Sequence, residues 1–309
     1  MRIAQIIAKQ TSAVTAAHLI ALANSANHRY KTYKISKRNG QHRTIEHPSR
    51  QLKFVQRWLG RKLFSKFPIH SKAFAYVRGK SIAHHAEIHV SNNYLLRIDF
   101  KNFFPSITAE NIKHKLNDFR YKDGSNLEPA EIDFITKIVT KSGQLTIGAP
   151  SSPIISNILM YEFDHYWDQY SSERGITYSR YADDIYFSTN VPNLLNQCLI
   201  DVREYLRENP NPRLFINDNK VVHTSKKRNR TVTGLTLTSD RKVSIGRDRK
   251  RQIRSLIFKH KNGLLNEQQI GQLSGILSYV RSVEPEFITS IEQKYGGAFI
   301  NSISGVNQT

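Results

Sequence analysis

The most constraining stretch of this chain is ITYSRYADDIYFST, residues 176–189. Two runs rich in β-branched and aromatic residues, ITYSRY and IYFST, are joined through Ala-Asp-Asp, the pattern of a β-hairpin with two acids at its tip. Adjacent acids are common in turns, so Asp183 and Asp184 gain weight only from a third carboxylate. YLLRIDF, residues 94–100, reads as a mostly apolar strand ending at Asp99. A carboxylate at such a position costs free energy unless it is solvated, hydrogen-bonded or bound to metal. Two divalent ions about 3.5–4 Å apart need ligands from at least two chain segments. Mg²⁺ takes oxygen ligands and completes its shell with water and substrate phosphates. Asp99, Asp183 and Asp184 are therefore candidate metal ligands.

The charge pattern fits that chemistry. The 309 residues carry a formal net charge of +21, an excess that folding does not need and that points to a polyanionic partner. Residues 1–80 hold 17 basic residues and 1 acidic, and residues 220–261 hold 14 basic and 2 acidic. Between them, residues 81–219 hold 18 acidic residues and 13 basic. A purely electrostatic binder of the ribosomal or chromatin kind has no use for an acidic centre, whereas an enzyme holding metal ions against a phosphate backbone does. The single cysteine, Cys198, excludes a disulfide framework and a cysteine-based zinc module, which fits a reducing, cytoplasmic setting. No apolar window approaches a membrane span. The N-terminal apolar stretch 13–23 is interrupted by His18 and reads as part of two short amphipathic helices rather than a signal peptide.

Around these acids the pattern is α+β, with hairpins rather than regular βαβ units. Residues 29–47 read as a hairpin turning at Asn39-Gly40, its Lys34, Lys37, Arg38 and Arg43 forming a charged flap suited to phosphate. A helix follows Pro48-Ser49, with Leu52, Val55, Leu59 and Leu63 on one face. Further helices are expected over 109–119, 129–140, 152–170, 191–209 and 247–260, with strands over 214–216 and 232–238. His84, His85 and His89 share helical spacing, but no third ligand for zinc is evident.

The set IDFKNFFPSI (98–107), IGAPSSPIISNILM (147–160), YSRYADDIYFS (178–188), INDNK (216–220) and VTGL (232–235) resembles, in order and spacing, the motifs of reverse transcriptases. ISKRNGQHRTIEHPSRQLKFVQ (35–56) resembles the family's first fingers motif, and HAEIH (85–89) with VTGL resembles the signature pair of retron reverse transcriptases. The resemblance implies a right-hand polymerase with an antiparallel palm sheet and a helical thumb. It would comprise N-terminal helices and fingers over 1–90, a palm over 91–237 with a helical insertion at about 109–146, and a thumb over 238–309.

Residue by residue, the resemblance implies a two-ion Mg²⁺ site at Asp99, Phe100, Asp183 and Asp184, with Mn²⁺ able to substitute. It places Lys37, Arg43, Gly148 and Lys220 around the incoming dNTP, Lys220 as proton donor to pyrophosphate, and Phe104 as the gate against a 2′-OH. His85, His89, Val232, Thr233 and Gly234, with thumb residues Arg249, Lys250 and Arg254, are expected to touch a cognate structured RNA. Two positions depart from the family pattern: Ile147 stands where Gln is usual, and His85 where Asn is usual. The implied activity is RNA-templated DNA synthesis primed at a 2′-OH within that noncoding RNA, giving a branched RNA–DNA product. RNA removal is left to a host RNase H, and a role in phage defence to a separate effector. An intron-type reverse transcriptase and a catalytically idle RNA-binding scaffold are the alternatives.

Overall fold

A computed structural model describes residues 1–11, 14–36, 40 and 42–304 of the chain. Lys37, Arg38 and Asn39, at the turn of the expected flap, lie outside the described residues. The strands among the described residues are β1 (Tyr30–Ser36), β2 (His42–Pro48), β3 (Tyr94–Asp99), β4 (Thr177–Tyr181), β5 (Asp184–Thr189), β6 (Val222–Ser225), β7 (Arg230–Val232), β8 (Leu235–Leu237) and β9 (Val243–Ser244). They form a β1-β2 hairpin, a four-stranded sheet in the order β4-β5-β3-β6, and a β7-β8-β9 sheet. Two compact units emerge, residues 1–78, 97–187 and 193–222 in one and 79–96, 188–192 and 223–309 in the other.

In the first unit β1 and β2 run antiparallel, in register from Tyr30 opposite Pro48 to Ser36 opposite His42. Their exposed faces cannot hold the hairpin alone, so polar ties anchor it. The Glu46 amide donates to the Ile147 carbonyl at 2.9 Å, and Lys141 reaches Glu46 at 2.6 Å and Thr32 at 3.0 Å. Pro48 ends the strand and Ser49 caps the helix Arg50–Lys62, accepting from the Leu52 amide. That helix buries Leu52, Val55 and Leu59, and its buried Gln56 donates to the Ile138 carbonyl of helix Pro129–Val139 at 2.9 Å.

β4 and β5 are joined by two residues, which permits only antiparallel pairing. Beneath them the expected helix over 152–170 is two helices, Ser152–Leu159 and Tyr161–Ser172. The break at Met160 (φ −86°, ψ 5°) precedes Phe163, Asp164 and Trp167, all buried under the hairpin. The Trp167 ring meets Phe187 edge-on at 5.4 Å. Helix Leu194–Glu208 adds Leu195, Cys198 and Val202 to this core. The strand expected at 214–216 reduces to one antiparallel bridge between Ile216 and Phe100.

In the second unit the strand expected over 232–238 is a hairpin. Val232 pairs with Leu235, so Thr233 (φ 47°) and Gly234 (φ 84°) form a two-residue turn with both φ positive, the type I′ geometry that matches strand twist. Helix Ile82–Val90 packs against β7, β8 and β9. Helices Arg247–Lys261, Glu267–Val283, Pro285–Tyr295 and Gly297–Ser304 share a core that includes Ile253, Ile257, Leu273, Leu277, Phe287 and Ile291. Among the described residues no single helix is long and apolar enough to cross a membrane.

Candidate active site

Asp99 ends β3 and is nearly buried. Its carboxylate accepts from Lys220 Nζ at 2.8 and 2.7 Å and from Asn217 Nδ2 at 3.0 Å. Its own carbonyl accepts the Asn217 amide at 2.8 Å, and the next amide, Phe100, donates to the Asp183 carbonyl at 3.0 Å. The end of β3 is thereby bonded on one side to the hairpin tip and on the other to the segment carrying Lys220.

The tip itself is Ala182-Asp183, with Asp184 the first residue of β5. Burial raises the Asp183 carboxyl, and the Asp99 charge adds to the effect. Burial and the neighbouring Asp183 push Asp184 up to about 7, against the favourable charge of Arg97. Arg97 and Asp99, two residues apart in β3, share one face of the strand. Carboxylates whose protonation is raised by burial and by a neighbouring acid, as at Asp183 and Asp184, suit a divalent cation, which would relieve the burial and repulsion together. Among the described residues no three His, Cys, Asp or Glu side chains stand close enough to form a ready-made cage.

Ala182 has φ 57°, a left-handed conformation that costs a non-glycine residue about 1–2 kcal/mol. A buried arginine holds it there. Arg180 Nη1 donates to the Ala182 carbonyl at 3.2 Å and to Asn157 Oδ1 at 3.0 Å. Its Nε and Nη2 grip Asp164 at 2.8 and 2.6 Å. Tyr178 donates to the same carboxylate at 2.7 Å, and Asn157 donates to the Ala75 carbonyl at 2.8 Å. Arg180 and Asp164 are both wholly buried, and Asp164 keeps the guanidinium charged against that burial. None of this is visible in local sequence, although a charged residue at an inward strand position two before Ala182 was a usable signal.

The other expected substrate contacts fall as follows. Arg43 is exposed on β2, and its charge favours the ionised form of Asp183. Phe103 is core, stacked 6.1 Å from Phe100, while Phe104 is partly exposed. Gly148 has φ 118°, and a Cβ there would lie 2.9 Å from the Glu46 carbonyl oxygen, so packing against β2 requires this glycine. Lys37 lies outside the described residues. Tyr76, missed in the sequence, is 56% exposed; partial desolvation and the Asp183 charge raise its pKa.

In the second unit His85, His89 and Val232, expected to touch RNA, are each 0% exposed. His89 Nδ1 hydrogen-bonds Ser188 Oγ at 2.7 Å, which also accepts from Asn92 Nδ2 at 2.7 Å. Arg230 donates to the Asn92 and Thr238 carbonyls. The two signature motifs therefore pack on each other, leaving Gly234 exposed and Thr233 partly so. Arg249 and Arg254 are exposed beside Tyr279 and Phe287, whereas Lys250 is committed to Glu284.

The motifs, sheet and acids of the first unit define a template-directed polymerase, and the match to known proteins agrees. Residues 35–237 match the family model described as reverse transcriptase (RNA-dependent DNA polymerase). The chain is 42% identical over 278 residues to the retron Ec83 reverse transcriptase of Escherichia coli, covering 89% of each, and 32% identical over 274 residues to the retron Ec73 enzyme of the same species, covering 86% of each. Apo telomerase from Candida tropicalis shares the fold at a TM-score of 0.54 and 13% identity, over 88% of this chain and 58% of that one. The chain belongs to the retron-type reverse transcriptases, RNA-directed DNA polymerases.

Proposed function

We propose that this reverse transcriptase copies a cognate structured noncoding RNA into DNA from a 2′-OH within that RNA, leaving a branched product. Asp99, Asp183 and Asp184, with Phe100 beside them, would hold two Mg²⁺ ions, Mn²⁺ substituting. Held by these residues, the ions would lower the primer hydroxyl's pKa and neutralise charge on the leaving pyrophosphate. Arg43 and Lys37 grip the triphosphate, and the partly exposed Phe104 fills the space of a 2′-OH. Lys220, released from Asp99 as substrate arrives, hands its proton to pyrophosphate. Thr233, Gly234, Arg249 and Arg254 face the RNA. Fingers over 1–90, palm over 91–237 and thumb over 238–309 divide this work in the cytoplasm, with a host RNase H trimming the RNA and a separate effector acting against phage.

The observation that supports this most is the approach of the buried Asp99 to the half-buried Asp183 and Asp184, whose carboxyls its charge pushes up, with the strand end tied to the hairpin tip by the Phe100–Asp183 hydrogen bond. Replacing Asp183 and Asp184 with Asn is expected to abolish dNTP incorporation while RNA binding persists; unchanged incorporation defeats the assignment. Nucleic acid copurifying with the protein, sequenced before and after debranching, should show a DNA joined to RNA. A linear product defeats 2′-OH priming alone.

A further inference from the structure

The segment between helix Leu194–Glu208 and Lys220 carries side chains that polymerisation, as proposed above, does not use. From Arg213 to Ile216 they alternate as in a strand: Arg213 and Phe215 face outward, Leu214 and Ile216 are buried. Phe215 is 52% exposed, and the Arg213 guanidinium lies 5.3 Å from its ring centroid. With Arg203, Arg207 and Pro210 they line a cavity of about 400 Å³. Neither Arg203 nor Arg207 is locked. Their partners Asp218 and Glu204, at 2.5 and 3.0 Å, are more than half exposed, and solvated pairs of this kind exchange readily for a better anion.

The composition of this cavity selects its ligand. An apolar ligand has no use for three guanidinium groups, and a bare anion has none for an exposed aromatic face. Arginine forks match phosphate oxygens, and an aromatic ring accepts any base by stacking. The segment is also bonded to the acid-bearing strand. The Lys101 amide donates to the Phe215 carbonyl at 2.8 Å, and Asn217, two residues beyond Phe215, holds Asp99 through both its amide and its side chain.

We propose that this cavity is an accessory nucleotide-binding site, with a base on Phe215 and phosphates on Arg203, Arg207 and Arg213. None of Arg43, Phe104, Gly148 or Lys220 lines it, so it is separate from the proposed dNTP contacts. A free nucleoside triphosphate and an unpaired nucleotide of a single strand share this chemistry.

Photocrosslinking of the full-length protein tests it, with 8-azido-ATP in one arm and a short single-stranded oligonucleotide bearing 5-bromouracil in the other, followed by peptide mapping. Label is expected in residues 203–216. Labelling by 8-azido-ATP assigns the site to free nucleotide; labelling by the oligonucleotide alone assigns it to a strand. Phe215→Ala should weaken binding of the labelling probe about ten- to a hundredfold, the range of one base–aromatic stack, and Phe215→Trp should restore it. Thermal unfolding verifies that each variant is folded. Absence of label in 203–216 from both probes, or label that Phe215→Ala leaves unchanged, overturns the proposal. Primer extension by the wild-type protein reports the polymerase function separately, so either can fail alone.

Discussion

Ala182 carries a backbone conformation that its methyl group resists, and the cost is met by a buried arginine two residues earlier. Removing the opposing charge with Asp164→Asn leaves Arg180 buried and under-compensated, which is expected to destabilise the protein by about 3–5 kcal/mol. Ala182→Gly should act in the opposite sense, stabilising by about 1 kcal/mol because glycine enters the left-handed region without penalty. Urea unfolding midpoints of the two variants check both signs. The same distinction between a residue and its setting applies to Phe103 and Phe104. The two are adjacent and chemically identical, yet only Phe104 retains exposure.

At the scale of elements, the β1-β2 hairpin depends on a close approach that one methyl group would disturb. Gly148→Ala places a Cβ 2.9 Å from the Glu46 carbonyl oxygen at a φ of 118°. Since main chain cannot retreat cheaply, a loss of about 1–3 kcal/mol in stability is expected, with weakened dNTP affinity in steady-state kinetics if Arg43 moves with β2. The helix bearing His85 makes a second prediction. Burial, with Lys80 nearby, lowers the His85 pKa to about 3, so the folded form keeps it neutral while the unfolded chain protonates it near 6.5. Its contribution to stability is complete above pH 6.5 and is lost as pH falls toward 3, on the order of a few kcal/mol in total. Stability of the wild type should therefore fall from pH 7 to pH 5, and His85→Asn should flatten that dependence. Equal slopes for the two proteins would argue against a buried neutral His85.

For the whole molecule, the formal charge of +21 divides into blocks with different duties. In helix Arg247–Lys261, Arg249 and Arg254 are exposed while Lys250 is held by Glu284. Replacing both arginines with Ala should weaken RNA binding and reduce the slope of log K against log salt by about 1–2, whereas Lys250→Ala should act mainly on stability. Filter binding across a salt series, beside a thermal melt, separates the two effects. Most of the plan of the chain is legible in its sequence. The acids at a strand end and a hairpin tip, the hairpin before Ser49 and the basic helix from Arg247 all follow from neighbours in sequence. The split at Met160 and the turn at Thr233-Gly234 were missed because apolar runs of that length suit one element as well as two.

By itself the sequence determined the three carboxylates, the order of the motifs around them and the division of charge along the chain. These rest on local conformational preference and on composition, which neighbouring residues set. The tertiary structure alone decided that Lys220 sits on Asp99, that Arg180 and Asp164 brace the Ala182 turn, and that His85 and His89 lie beneath the VTGL hairpin rather than at the surface. Burial and charge pairing depend on which distant segments meet: Lys220 is 121 residues from Asp99 and His89 is 99 from Ser188. Only the folded chain brings such partners within hydrogen-bond reach.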